Sequence, residues 1–231
     1  MLILGDSLAF HGPRRAEPPG EPRLFGNVLA RRLGAEADLS ARMGWTARDA
    51  WWSLTKDPVV WGAYLPRATA LVLALGSFDQ LPAAVPTWAR ESIHYVRPGG
   101  LRRRVRSAFL AAAPRVIAAS DGRFSQLSPA ASNHYHDRII QAVRTLRPDL
   151  PVVRLLPSPY RSHLYPAQRP HAPAVTAARA WCAERGVPAV DLDVLVTTDT
   201  NNPDGLHWGW DSHERVGKGT AETLLAAGWA P

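Results

Sequence analysis

The chain has 231 residues, 46% of them hydrophobic, which is enough for one substantial core and too few for two domains of ordinary size, so residues 1–231 are expected to form a single domain. The formal net charge of +7, carried almost wholly by arginine, calls for an anionic partner without choosing among nucleic acid, lipid and small substrate. Cys182 is the only cysteine, no Cys/His cluster has the spacing of a zinc site, and Met1-Leu2-Ile3-Leu4 lacks the marks of a signal peptide, so disulfides, metal and stable membrane insertion are not expected and the chain reads as cytoplasmic.

Short apolar runs alternate with longer segments of helical period. Strands are expected at Leu2–Leu4, Ala37–Ala41, Ala70–Leu75, Val152–Leu156 and Ala189–Leu192. The third of these is apolar at every position, as a parallel strand buried on both faces is. Helices are expected at Leu24–Leu33, at Ala130–Leu146 after a Ser128-Pro129 start signal, at Ala174–Arg185 before Gly186, and at Ser212–Ala227. Such alternation implies an α/β fold: a three-layer α/β/α sandwich around a mostly parallel five-stranded sheet, with the ligand site beyond the carboxyl ends of the strands.

The reactive side chains that fall there are few. Ser7, in Gly5-Asp6-Ser7-Leu8-Ala9, directly follows the first strand, and a serine hydroxyl becomes a nucleophile only when a base takes its proton. Asn202-Pro203-Asp204-Gly205-Leu206-His207-Trp208 supplies one, because an aspartate three residues before a histidine, in a turn entering the last helix, can hold Nδ1 and leave Nε2 free. Taken singly, each motif is an ordinary turn and helix cap. Together, at opposite ends of the chain and each beside a strand end, they make Ser7, Asp204 and His207 the candidate catalytic residues. The order Ser, Asp, His and the near match to a nucleophile elbow also suit an α/β-hydrolase, but that fold needs several strands before its elbow and here barely four residues precede it.

These blocks resemble those of the SGNH, or GDSL, hydrolases, which place Gly-Asp-Ser at the first strand, a glycine after the second, Gly-x-Asn-Asp after the third and Asp-x-x-His near the C-terminus. Gly5-Asp6-Ser7, Gly44, and Asp204 with His207 match, while Gly76-Ser77-Phe78-Asp79 has phenylalanine in place of the asparagine that completes the oxyanion hole. The stretches Gly44-Trp45-Thr46-Ala47-Arg48-Asp49-Ala50-Trp51-Trp52, Tyr95-Val96-Arg97-Pro98 and Asn202–Trp208 look like those of the actinobacterial diglucosylglycerate octanoyltransferases, a group that also lacks the asparagine. The resemblance implies one catalytic SGNH domain, no cofactor, and transfer of an octanoyl-like group from a donor such as acyl-CoA to a hydroxyl of a glucosylglycerate, on the route to methylglucose lipopolysaccharides. The alternative on the same scaffold is a broad esterase or thioesterase.

The oxyanion hole would then rest on the main-chain N–H groups of Ser7 and Gly44. Trp45, Trp208 and Trp210 are expected near the catalytic groups, where indole faces suit an acyl chain or a glucose ring, and Trp51, Trp52, Trp61, Trp88 and Trp181 are expected in the core. Arg48 or Arg42 is placed to meet a glycerate carboxylate, and Asp79 to cap a turn or bind substrate hydroxyls. Asp6, Trp45, Arg48, Phe78, Asp79 and Trp208 make up the candidate substrate-binding set, and His11 lies close enough after Ser7 to touch the site. Arg102-Arg103-Arg104 with Arg106 reads as a solvated helix face that is also suited to CoA phosphates. Elsewhere the arginines are dispersed and no aromatic-basic strand motif of an RNA reader is present, so nucleic acid is not an expected partner.

Overall fold

The computed structural model describes residues 1–198 and 202–230. Strands β1 (Leu2–Gly5), β2 (Asp38–Ala41), β3 (Leu71–Ala74), β4 (Val152–Leu155) and β5 (Ala189–Val190) form one sheet in the order β2-β1-β3-β4-β5, with every pairing parallel. The register sets Gly5 beside Ala41 on one side and Ala74 on the other, so the chain segments carrying Ser7, Gly44 and Ser77 leave the sheet at one edge. Within β1, Leu2 and Leu4 point into one core and Ile3 into the other, the period of two expected of a strand buried on both faces.

Helices α1 (Phe25–Arg32) and α2 (Ala47–Lys56) follow β1 and β2. After β3 come a short α3 (Thr87–Ser92), a long α4 (Gly99–Ala119) and α5 (Pro129–Leu146), and after β4 come α6 (His171–Arg185) and, past β5, α7 (Trp210–Ala226). Phe25 and Leu29 of α1 and Val216 and Leu224 of α7 bury against Ile3, Val72 and Val153 on one face. Leu54 of α2, Ile139 and Val143 of α5 and Trp181 of α6 cover Leu2, Leu71 and Leu73 on the other, which gives the expected three layers. Both predicted punctuation signals operate: the Ser128 hydroxyl accepts from the Ala131 N–H, and Gly186 ends α6 in the left-handed conformation.

The excursion between β3 and β4 was the part least visible in the sequence. α4 is 21 residues long but buries only Ile117, and its arginines 102, 103, 104 and 106 are exposed, so the solvated-face reading holds for them. Two tryptophans expected in the core lie outside it. Trp88 is 74% exposed on the short α3, and Trp52 is 41% exposed with the Lys56 ammonium 3.6 Å from its ring centroid, one turn along α2. No described helix is long and apolar enough to cross a membrane.

Candidate active site

Asp6, Ser7 and His11 sit on a tight turn made by the chain as it leaves β1. The Asp6 side chain caps it, one oxygen accepting from the Leu8 N–H at 2.9 Å and the other from the Phe78 N–H at 3.1 Å. Asp6 thus ties the Ser7 turn to the loop after β3. Burial pushes its carboxyl up to about 7 against the pull of those two N–H groups.

The second half of the site comes from the turn before α7. Gly205 there has φ of +72°, and a Cβ on it would lie 1.7 Å from the Arg161 carbonyl oxygen, so only glycine lets residues 202–207 fold against the loop after β4. The Asp204 carboxylate then accepts three hydrogen bonds: the Leu206 N–H at 2.8 Å and the His207 N–H at 3.1 Å on one oxygen, and the His207 Nδ1–H at 2.6 Å on the other. Burial raises this carboxyl, but the three donors outweigh it and hold Asp204 below its ordinary value. His207 Nε2 lies 2.9 Å from Ser7 Oγ. Since Nδ1 gives its proton to Asp204, Nε2 is the acceptor for the serine hydroxyl. Burial lowers the basicity of His207, opposed by the bond to Asp204, so the ring is neutral when it faces the serine.

This hydrogen-bonded chain opens onto a cleft of about 250 Å³ lined by Ser7, Gly44, Asp204 and His207. Its walls are largely apolar, with Met43, Phe78 and Leu81 from the loops after β2 and β3, and Tyr160, Leu164 and Tyr165 from the loop after β4. The Phe78 ring packs beneath Gly44, whose added Cβ would meet it at 3.5 Å, so the phenylalanine fills the floor where the family pattern has an amide.

Of the expected substrate-binding residues, Asp6 and Phe78 line the cleft and four do not. Trp208 is 1% exposed and packs in the core, with its indole N–H donated to Ser158 Oγ. Trp45 leans on the core beside α2, and its ring faces Arg42. Arg48 is bound to Glu91 of α3, and Asp79 is buried against the first turn of α2, accepting from the Ala47 N–H at 3.0 Å and from Ser132 Oγ–H. Trp210 is also absent from the cleft, its ring covered by Arg23 at 4.0 Å. The aromatic surface comes instead from Phe78, Tyr160 and Tyr165. Residues 157–165 were missed, although they directly follow a predicted strand and so sit where the sheet-end rule places a ligand.

No protein-family model matches the chain. It is 38% identical to the diglucosylglycerate octanoyltransferase of Mycolicibacterium hassiacum, over 99% of this chain and 95% of that one, and 36% identical to the protein of the same name from Mycobacterium tuberculosis, over 99% and 93%. Among solved structures it resembles a lipase/acylhydrolase from Enterococcus faecalis (TM-score 0.65, 14% identity, 98% of this chain and 95% of that one) and the M. smegmatis aryl esterase (0.62, 16%, 97% of each). These are likenesses of fold, within a group that also includes a G-D-S-L lipolytic protein. Carried over nearly its full length by the two curated relatives, the chain belongs to the diglucosylglycerate octanoyltransferase family of SGNH-fold enzymes.

Proposed function

We propose that the protein is a serine acyltransferase that moves an octanoyl-like group from a thioester donor, acyl-CoA, to a hydroxyl of diglucosylglycerate. The observation that carries this reading is the Ser7–His207–Asp204 chain of hydrogen bonds at the wall of an apolar cleft. His207 Nε2 takes the Ser7 proton as Oγ bonds to the thioester carbonyl carbon. The C–S bond then breaks, the proton passes from His207 to the departing thiolate, and an acyl-serine remains. In the second half the sugar hydroxyl gives its proton to His207 and attacks the same carbon; the C–Oγ bond breaks and His207 returns the proton to Ser7. Asp204 keeps the ring in the tautomer both halves require.

The oxyanion would be held by the N–H groups of Ser7 and Gly44, with the Ser77 hydroxyl as a third donor. Ser77 lines the cleft and its Oγ accepts from the Ser158 N–H at 3.0 Å, while its own proton makes no hydrogen bond to a described residue. The Phe78 N–H is spent on Asp6. For the glycerate carboxylate, Arg90 replaces Arg48: it is half-buried beside Tyr165 and makes no hydrogen bond or salt bridge to a described residue, and burial lowers its basicity.

The test is to supply octanoyl-CoA and diglucosylglycerate and follow both products by mass spectrometry. Octanoylated glycoside is the expected product. Free octanoate alone, at every acceptor concentration, would make the protein a hydrolase.

A further inference from the structure

The His207 ring has a neighbour that plays no part in the mechanism above. His11 lies parallel to it, ring centroids 3.8 Å apart and planes 19° from parallel. The contact is built rather than incidental, because His11 is fixed at four points. Its N–H donates to the Ser7 carbonyl at 2.8 Å, and its Nδ1 lies 2.7 Å from the Gly12 carbonyl. It forms a β-bridge with Ala16. Its own carbonyl accepts from His213 Nε2–H at 3.0 Å. His213 is fully buried in α7, and its Nδ1 accepts from the Phe25 N–H at 3.2 Å, which fixes the proton on Nε2. The nucleophile's turn, the start of α1 and α7 are thus riveted together through the backbone of His11, and the His11 side chain is laid on the face of His207.

We propose that His11 is a positioning residue for the general base: its ring is the wall that holds the His207 imidazole in line with Ser7.

This rests on His207 being the base. The Gly12 carbonyl can only accept, so Nδ1 of His11 carries a proton and donates to it. The ring lays its π face against the imidazolium that forms on His207 during each proton transfer. The other groups around the pair leave the stacked faces to each other. Asp204 is engaged on the edge of His207, His213 is held neutral by burial at about 4, and Glu17, which packs on Gly12, is paired with Arg15 at 3.5 Å. Burial is the main cause of the lowered basicity of His207, and charge on His11 pushes it the same way.

The experiment measures kcat/KM against pH for the wild type, His11→Phe and His11→Ala, with the titration of His207 followed by NMR in the same proteins. Loss of the wall in His11→Ala should lower kcat/KM by roughly tenfold or more, since small misplacements of a reacting group are costly, and the phenyl ring should restore most of it. The titration of His207 is the second readout in His11→Phe. In that variant His207 should titrate higher, by up to about one pH unit, the scale set by like charges ~4 Å apart in water. Superposable pH profiles and an unmoved His207 titration in His11→Phe would overturn the proposal, as would wild-type kcat/KM in His11→Ala. A folded His207→Ala that keeps its activity would instead overturn the assignment of the base, so the two failures are distinguishable. If His11→Ala does not fold, the phenyl variant and its His207 titration decide alone.

Discussion

Replacing Asp204 by Asn isolates the tautomer from the turn. One carboxylate oxygen holds the Leu206 and His207 N–H groups and the other holds His207 Nδ1–H. An Asn that keeps its oxygen on the two backbone donors turns its NH2 toward Nδ1, which must then become an acceptor. The ring proton moves to Nε2, and His207 can no longer take the Ser7 proton. In serine triads that error costs about 10⁴ in kcat, or roughly 5.5 kcal/mol. The one escape is to flip the amide, giving the oxygen to Nδ1–H and leaving two backbone N–H groups unpaired at about 1–3 kcal/mol each, roughly 2–6 in all. The variant follows whichever path is cheaper, so acyl transfer should fall by about 30-fold to 10⁴-fold. The assay is the pre-steady-state release of p-nitrophenol from p-nitrophenyl octanoate, run beside a thermal melt. A fall of less than tenfold in a folded variant would refute the reasoning.

Ser77→Ala removes the proposed third oxyanion donor and should slow acylation by on the order of 10²-fold with a steady donor KM; unchanged kcat would leave the hole to Ser7 and Gly44 alone. Arg90→Met should raise the acceptor KM while leaving the donor half-reaction intact, and an effect confined to the donor would remove Arg90 from the acceptor site. If the cleft takes the acyl chain, octanoyl should be preferred to butyryl esters by on the order of 10²-fold, four methylenes at ~0.8 kcal/mol each, and Leu81→Trp should erase most of that preference; comparable kcat/KM for the two esters in the wild type would contradict it. His213 is held neutral at about 4 against an ordinary 6.5, so the unfolded chain takes up a proton first as pH falls and stability drops across that window, by about 3 kcal/mol in full. Urea titrations at pH 7 and pH 4.5 should therefore show the wild type losing more stability than His213→Gln, and parallel losses would show that the ring is not buried neutral.

The sheet was legible because β1, β3 and β4 are short runs, apolar but for Arg154, whose burial leaves no freedom of register, and the helices because Ser128 and Gly186 mark their ends. The coming together of Ser7, Asp204 and His207 was legible as well, since a Gly-Asp-Ser after a first strand and an Asp-x-x-His before a last helix place scarce residue types at strand ends. What failed were inferences from nearness in sequence. Trp208 adjoins His207, yet Ser158, 50 residues away, takes its indole N–H and draws the ring into the core. Arg48 adjoins the Gly44 loop, yet Glu91 of α3 neutralises it, and α3 carries no strong period of its own. The opening charge of +7 has a similar resolution. Much of it sits on exposed arginines such as those of α4, while half-buried Arg90, which interacts with Tyr165 of the cleft wall and makes no hydrogen bond or salt bridge to a described residue, is marked by no motif.

The central claim is that acyl group and acceptor meet through Ser7. It is tested most directly by reacting the enzyme with the octanoyl donor alone, locating the acyl group by peptide mass spectrometry, and then adding diglucosylglycerate. The account predicts octanoate on the peptide carrying Ser7, absent from Ser7→Ala, and discharged by the acceptor in step with the appearance of octanoylated glycoside. An acyl group on another residue, or one released only as free acid whatever the acceptor concentration, would contradict it.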